Sequence, residues 1–196
     1  MKIKGLVKST LSFIYHPIIK TRLFLSGGKN IYIGPQMTIN KPQYIHVGNG
    51  FSLGRNSRFL FVEKYHGGEY KPGVKFGDNI SIGNRFSLLS AAPIEIGDNC
   101  LIASDVLITS ENHGMDIEAS DSYALQPLEC SPVRIGKGCW LGEKSMIMPG
   151  VTLGDRCIVA AGAVVTKSFP DKSLVGGVPA KLLKRYNSQT KTWERV

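Results

Sequence analysis

Between Ile135 and Val165 the chain sets down an aliphatic residue at every sixth position: Ile135, Leu141, Ile147, Leu153, Val159 and Val165. Gly136, Gly142, Gly154 and Ala160 follow four of them. A period of six is neither the turn of a helix nor the pleat of a strand, so it marks a repeat architecture. The same beat runs through Phe76, Ile82 and Leu88, slips by two residues at Pro93-Ile94-Glu95, and resumes at Ile96, Ile102 and Ile108. Upstream it appears as Ile33 and Ile39, then after a similar slip as Val47, Leu53 and Phe59. Each hexapeptide reads as a short strand and a corner, with the aliphatic residue inside and Gly or Asn relieving the tight backbone. Three of them make a coil of about 18 residues, and coils stack at about 4.8 Å.

The expected fold is all-β, a parallel β-helix over residues 31–169 with insertions at about 60–75 and 109–134. Residues 1–30 are expected to form a basic, amphipathic N-terminal cap and residues 170–196 a basic C-terminal tail, both as short helical or irregular pieces. The position four after each aliphatic residue should be small or slim, and Val106, Ser145, Val151 and Ala163 hold it. So do Cys100, Cys139 and Cys157, which therefore read as reduced, slim hydrophobic residues. With no C-x-x-C pair among the four cysteines, neither a zinc ligand set nor a disulfide framework is indicated.

The chain has 196 residues, of which 42% are hydrophobic, enough for a single domain. Its longest apolar run falls short of the ~20 residues that span a bilayer. The formal net charge of +9 is spread along the chain instead of forming an arginine stripe with interleaved aromatics, which argues against nucleic acid. Residues 1–25 carry Lys2, Lys4, Lys8, Lys20 and Arg22 among apolar residues broken by Pro17. They read as a cover for the open first coil or as a basic element lying on an anionic membrane, and without a small-residue cleavage site they make a poor signal peptide.

Chemistry concentrates where the second insertion opens, at Thr109-Ser110-Glu111-Asn112-His113-Gly114-Met115-Asp116. A histidine on such a loop takes a proton from an alcohol near neutral pH if a carboxylate fixes its tautomer. Glu111, Asp116 and Glu129 are the candidate orienting groups. Ser110 and Cys130 are the nearby nucleophile types, and neither has a triad-like setting.

The order of Ile96-Gly97-Asp98-Asn99, Asn112-His113-Gly114, Pro132-Val133-Arg134-Ile135-Gly136, Trp140-Leu141-Gly142, Pro149-Gly150-Val151 and Gly177-Val178-Pro179-Ala180-Lys181 resembles the hexapeptide-repeat acetyltransferases. Over the loop, Pro127-Leu128-Glu129 and the tail, the chain is most similar to the O-acetyltransferases of bacterial lipopolysaccharide O-antigen biosynthesis. The resemblance covers about residues 76–186. It implies a left-handed β-helix, acetyl-CoA as co-substrate, no metal, and a homotrimer with sites between adjacent prisms. It also implies a sugar or lipid-linked oligosaccharide acceptor and a cytoplasmic location, with peripheral contact at the inner membrane as one reading of residues 1–25. It assigns the catalytic base to His113, beside which the loop itself offers Glu111 and Glu129. Cofactor contacts fall at and after the Trp140 landmark, on Trp140, Glu143, Ala161, Thr166, Lys167, Lys181 and Lys184; the candidate acceptor contacts in this sequence are Asn112, Asp116 and Ser87. Glu143 departs from the small polar residue of related sugar acetyltransferases, and their sugar-contacting asparagine has no counterpart in Phe86-Ser87-Leu88-Leu89-Ser90. The implied reaction is direct acyl transfer, to a hydroxyl or alternatively to the amine of an amino sugar. Two other classes compete: a γ-type carbonic anhydrase, whose three zinc histidines are poorly matched by the scattered His16, His46 and His66, and a non-catalytic binding solenoid.

Overall fold

Three parallel sheets built from strands of two to five residues wrap around one axis in the computed structural model, which describes residues 19, 23, 27–119 and 122–196. The first face stacks Tyr32–Ile33, Ser52–Leu53, Ser81–Ile82, Leu101–Ile102, Trp140–Leu141, Ile158–Val159 and Ser173–Gly177. The second stacks Thr38–Ile39, Arg58–Phe61, Ser87–Ser90, Leu107–Thr109, Met146–Ile147 and Val164–Val165. Ile45–His46, Gly73–Phe76, Pro93–Ile96, Val133–Ile135 and Thr152–Leu153 form the third. The hexapeptide residues point inward, and Ile33, Leu88, Ile108, Leu141, Ile147 and Val165 are fully buried. The expected cap over residues 1–25 lies outside the described residues except for Ile19 and Leu23; Leu23 is buried in the core.

The coils differ in girth. Tyr32 pairs with Ser52 and Ser81 with Leu101, 20 residues apart, whereas Trp140 pairs with Ile158, 18 residues on. In the wider lower coils the slot expected to be slim holds Phe51 and Phe86, both fully buried. Phe51, Phe59, Phe76 and Phe86 meet edge to face or tilted, at centroid distances from 5.0 to 6.4 Å. From Cys100 to Ala163 the slot is slim as expected. Cys100, Cys139 and Cys157 are free and buried, and each thiol donates to a carbonyl of the next coil, those of Gly136, Gly154 and Pro170, at 3.2 Å.

The corner between the third and first faces carries a second ladder. Asp78 Oδ1 accepts from the Asn49 amide at 2.7 Å, Asp98 Oδ1 from Asp78 at 3.0 Å, Asp155 Oδ1 from Lys137 at 2.7 Å and Asp171 Oδ1 from Asp155 at 2.9 Å. Each carboxylate thus satisfies an amide that points out of the coil below. The hydrogen bond from the Asp78 amide, and then Lys137 Nζ at 3.0 Å, hold the Asp98 carboxyl below the usual carboxylate range.

The C-terminal tail is not helical or irregular. Ser173–Gly177 adds a further parallel strand to the first face, and Ala180–Asn187 and Thr192–Arg195 extend that sheet antiparallel. The Gly177 backbone, at φ +100°, and a cis Val178-Pro179 bond make the reversal. The edge of the last coil is covered by strands because its open amides and carbonyls need partners, which a hairpin supplies in register.

Two outcomes follow. Phe86→Ala should cost about 3–5 kcal/mol of stability in urea titrations, since the stacked coils above and below limit collapse of the cavity. Asp98, with its folded-state pKa lowered, stabilises fully above its unfolded value of about 4 and loses that contribution as pH falls through the lower folded value, so Asp98→Asn should flatten the acid limb of a melting-temperature profile below about pH 5.

Candidate active site

Both insertions leave the prism at the corner between the second and third faces, where the two-residue slips have lengthened the strands. A chain turning this wider corner has more backbone to satisfy, and two buried serines do it. Ser90 Oγ accepts from the Gly73 amide at 2.9 Å and donates to the Ala92 carbonyl at 2.9 Å. One coil higher, Ser110 Oγ accepts from the Ala92 amide at 3.0 Å and donates to the Ala92 carbonyl at 2.7 Å. Ser110 is therefore a structural hydroxyl, fully buried, and not a nucleophile.

From this anchor Glu111–His113 runs out and Leu128–Cys130 returns as an antiparallel ribbon, pairing Glu111 with Cys130, Asn112 with Glu129 and His113 with Leu128. The Ser131 amide closes its base on the Ser110 carbonyl at 3.0 Å. Beyond the strands, buried Gln126 stitches the tip: its Nε2 donates to the Asp116 carbonyl at 2.7 Å and its Oε1 accepts from the Asp116 amide at 3.1 Å. The smaller insertion, a hairpin of Lys64–Tyr65 and Gly68–Glu69, braces the ribbon. Tyr65 Oη donates to the Ala124 carbonyl at 2.6 Å, and Tyr70 Oη accepts from the Leu128 amide at 2.5 Å.

His113 stands exposed on this braced ribbon, its ring 5.5 Å from that of Tyr65, over a shallow depression of about 490 Å³ lined by Asn112, His113, Gly114, Met115 and Tyr123. The pleat decides which acid is its neighbour. Residues two apart share a strand face and directly paired residues share it too, so Glu111, His113, Leu128 and Cys130 lie on one side, Asn112 and Glu129 on the other. Burial pushes the Glu111 carboxyl up, and the charge of His113 pulls it back. Burial, then the Glu111 charge, raise the Cys130 thiol, which disfavours the nucleophilic thiolate. Glu129 is on the face away from His113. Asp116 spends a carboxylate oxygen on the Glu118 amide at 2.9 Å, fixing the turn at the ribbon tip.

The remaining sequence candidates are spread over the prism of one chain. Ser87 lies on the second face, paired with Arg58 and Leu107, and its hydroxyl accepts from Arg58 Nε at 3.1 Å. Trp140 stands outward on the first face in one row with Leu101, Ile158 and Leu174. Lys184 continues that row through its pairing with Leu174, and Lys181 pairs with Gly176 beside it. Glu143 and Ala161 stack at the corner between the first and second faces, where the Gly162 amide donates to the Glu143 carbonyl at 2.8 Å. A Cβ at Gly142 would come within 2.6 Å of the Ala161 amide, so that corner must stay small. Glu143 also raises the pKa of Arg85, after the larger effect of the paired Asp105, so its charge belongs to a corner ladder. Thr166 and Lys167 are two coils above the ribbon at the corner it leaves from, with Lys167 Nζ over the Phe169 ring at 5.7 Å.

Sequence reasoning missed Tyr65, Tyr70 and Gln126. A Gly67-Gly68 turn between polar and aromatic residues signals the first hairpin. That it meets a segment some 60 residues later follows only from both insertions leaving one corner two coils apart. His66, which the sequence separates from His113, meets the same Tyr65 ring at 4.5 Å, yet among the described residues no cluster could hold a metal ion.

A family model described as the hexapeptide repeat of succinyl-transferase matches residues 73–110 and 132–167, flanking the ribbon. Among curated proteins, an Escherichia coli protein whose name assigns it to lipopolysaccharide biosynthesis as an O-acetyl transferase is 39% identical over 130 residues, 63% of this chain and 66% of its own. A Dictyostelium discoideum protein named as an acetyltransferase is 32% identical over 167 residues, 85% of this chain and 70% of its own. Among solved structures, a variant of an N-acyltransferase from Bacillus cereus, in complex with dTDP and coenzyme A, superposes with a TM-score of 0.62 at 25% identity, covering 88% of this chain and 90% of that one. The chain spans 54–66% of the first curated relatives it matches. The coil of this chain is left-handed, against the right-handed rule for ordinary crossovers.

Removing the aromatic brace should be visible at the histidine. Tyr65→Ala should shift the His113 imidazole signals in carbon-proton NMR spectra, and Tyr65→Phe, which keeps the ring and loses the bond to Ala124, should shift them less. Unchanged signals in the alanine variant would mean that the hairpin does not order His113.

Proposed function

The chain belongs to the hexapeptide-repeat acetyltransferase family, and from that membership and the geometry around His113 we propose that it moves an acetyl group from acetyl-CoA to a sugar hydroxyl of a lipopolysaccharide-type surface polysaccharide precursor. The observation that carries the reading is His113 itself: an exposed imidazole on a ribbon anchored in the prism, with a half-buried carboxylate on the same ribbon face. A rigid base with one open side meets a substrate hydroxyl without reorganising.

His113 takes the proton of the acceptor hydroxyl as its oxygen attacks the thioester carbonyl. The C–S bond breaks, and the CoA thiolate leaves with the proton that His113 returns. Glu111, on the same ribbon face, is the carboxylate placed to stabilise the imidazolium through space. No covalent acyl-enzyme is required, in keeping with a buried Ser110 and a Cys130 thiol of raised pKa.

For the cofactor, the low corner at Ala160-Ala161-Gly162 leaves room for a slim pantetheine arm, and Lys167, Lys181 and Lys184 supply charge for the CoA phosphates. Lying on different edges of one chain, these residues converge only if neighbouring prisms share a site. Outward apolar rows favour such a homotrimer: Leu101, Trp140, Ile158 and Leu174 on the first face, and Leu107, Met146 and Val164 on the second. The third face is polar, with His46, Lys75, Glu95 and Arg134 outermost. A cytoplasmic location with peripheral membrane contact through residues 1–25 belongs to the same proposal, supported by their basic, amphipathic sequence.

Incubation with acetyl-CoA and lipid-linked saccharides tests the reading. Acetylated product should lose its acetyl group in mild base, as an ester does, and His113→Ala should lower turnover by about 10²–10⁴-fold. A base-stable product would instead mark an amide and favour amine transfer, the reaction class of the Bacillus cereus neighbour. A Lys181→Glu/Lys184→Glu variant should raise the acetyl-CoA KM well above any change in acceptor KM, an effect that higher salt partly reproduces.

A further inference from the structure

A second cavity, of about 370 Å³, lies at the edge between the first and third faces, where the C-terminal hairpin folds against the last coils. Arg156, Lys172, Lys191, Ser188, Tyr186 and Trp193 line it. Tyr186 and Trp193 are cross-strand partners whose rings meet edge to face at 5.5 Å. Lys172 Nζ sits over the Tyr186 ring at 6.0 Å and donates to Ser188 Oγ at 2.6 Å.

The charge there is lopsided. Three cations line the cavity and no carboxylate does. Among the described residues, Arg156, Lys172 and Lys191 form no ion pair. The adjoining Asp155 and Asp171 each commit a carboxylate oxygen to an amide of the corner ladder. Nor does the turn at the coil corner require cations. Arg156 and Lys172 hold the left-handed backbone position, at φ +56° in both, that Asn79, Asn99 and Gly138 hold in the coils below. Asn and Gly adopt that conformation most easily, whereas arginine and lysine carry a steric cost there and, one above the other, repel. Cations gathered at a strained position around a half-open aromatic cavity have a use when an anion fills it.

We propose that this cavity is a binding site for a soluble phosphorylated ligand, its phosphate or diphosphate held by Arg156, Lys172 and Lys191 and any attached ring packing on Tyr186 and Trp193. The guanidinium suits bidentate phosphate contact, the two ammonium groups add charge, and Ser188 offers a hydroxyl donor. The site is separate from His113, which stands at a different corner, between the second and third faces.

Inorganic pyrophosphate is the probe, titrated calorimetrically into the full chain pre-saturated with coenzyme A so that any cofactor phosphate site is already filled. Wild-type protein should bind it, more weakly as salt rises. Arg156→Asn/Lys172→Asn, which installs the residue that the same position holds lower in the prism, should weaken binding by about tenfold to a hundredfold while the circular dichroism spectrum and acetyl-CoA KM hold steady. The absence of pyrophosphate binding to the wild type, or equal binding by the variant, would overturn the proposal. So would retention of the wild type, but not the variant, on phosphatidylglycerol vesicles without a response to pyrophosphate, which would give these cations to a lipid surface.

Discussion

Coil-to-coil hydrogen bonding is the constraint on which this molecule depends. Each strand of the coils is only two to five residues long and has no stability alone; its amides and carbonyls are satisfied by the coils on either side, at the inter-strand spacing. That stacking turns a six-residue sequence period into three continuous faces and leaves chemistry to whatever escapes at the corners. Where the coil grows from 18 to 20 residues the hydrogen bonds survive, but one corner widens and the interior changes from slim residues to phenylalanines.

The widened corner links fold to function. A loop thrown from a tight corner would be mobile, whereas here Ser90 and Ser110 convert surplus backbone into a buried polar ladder, and the ribbon grows from its top rung. The smaller hairpin, leaving the same edge two coils lower, then reaches the ribbon with Tyr65 and Tyr70. His113 is presented by two insertions that are separate in sequence and adjacent because the solenoid winds them onto one edge.

How much of this could be read in advance follows the range of the interactions involved. The inward residues from Ile135 to Val165 are legible because each hexapeptide carries its own signal, and His113 is legible because its polar neighbours are local. The C-terminal hairpin misleads because its charged residues look like a solvated tail, although Ala180, Leu182, Lys184 and Tyr186 alternate with more exposed neighbours along the strand. Phe51 and Phe86 contradict the slim slot because coil girth is set by slips elsewhere in the same coil. Tyr65 and Gln126 are illegible for a different reason: their partners are fixed by stacking order, which no local window contains. The pleat likewise separates Glu111 from Glu129 as neighbours of His113, a distinction that composition cannot make.

The central claim is that the serine-anchored corner holds the histidine ribbon in place. Native-state hydrogen exchange of wild type and Ser110→Ala measures it most directly. The account predicts faster exchange in the variant at Ala92, which loses its acceptor, and at Ser131 and Gly114, whose amides close the ribbon, with Gly142, at the corner between the first and second faces, unchanged. Ribbon amides that keep their protection while Ala92 alone loses it would contradict the account, because the ribbon would then owe its order to something other than the corner.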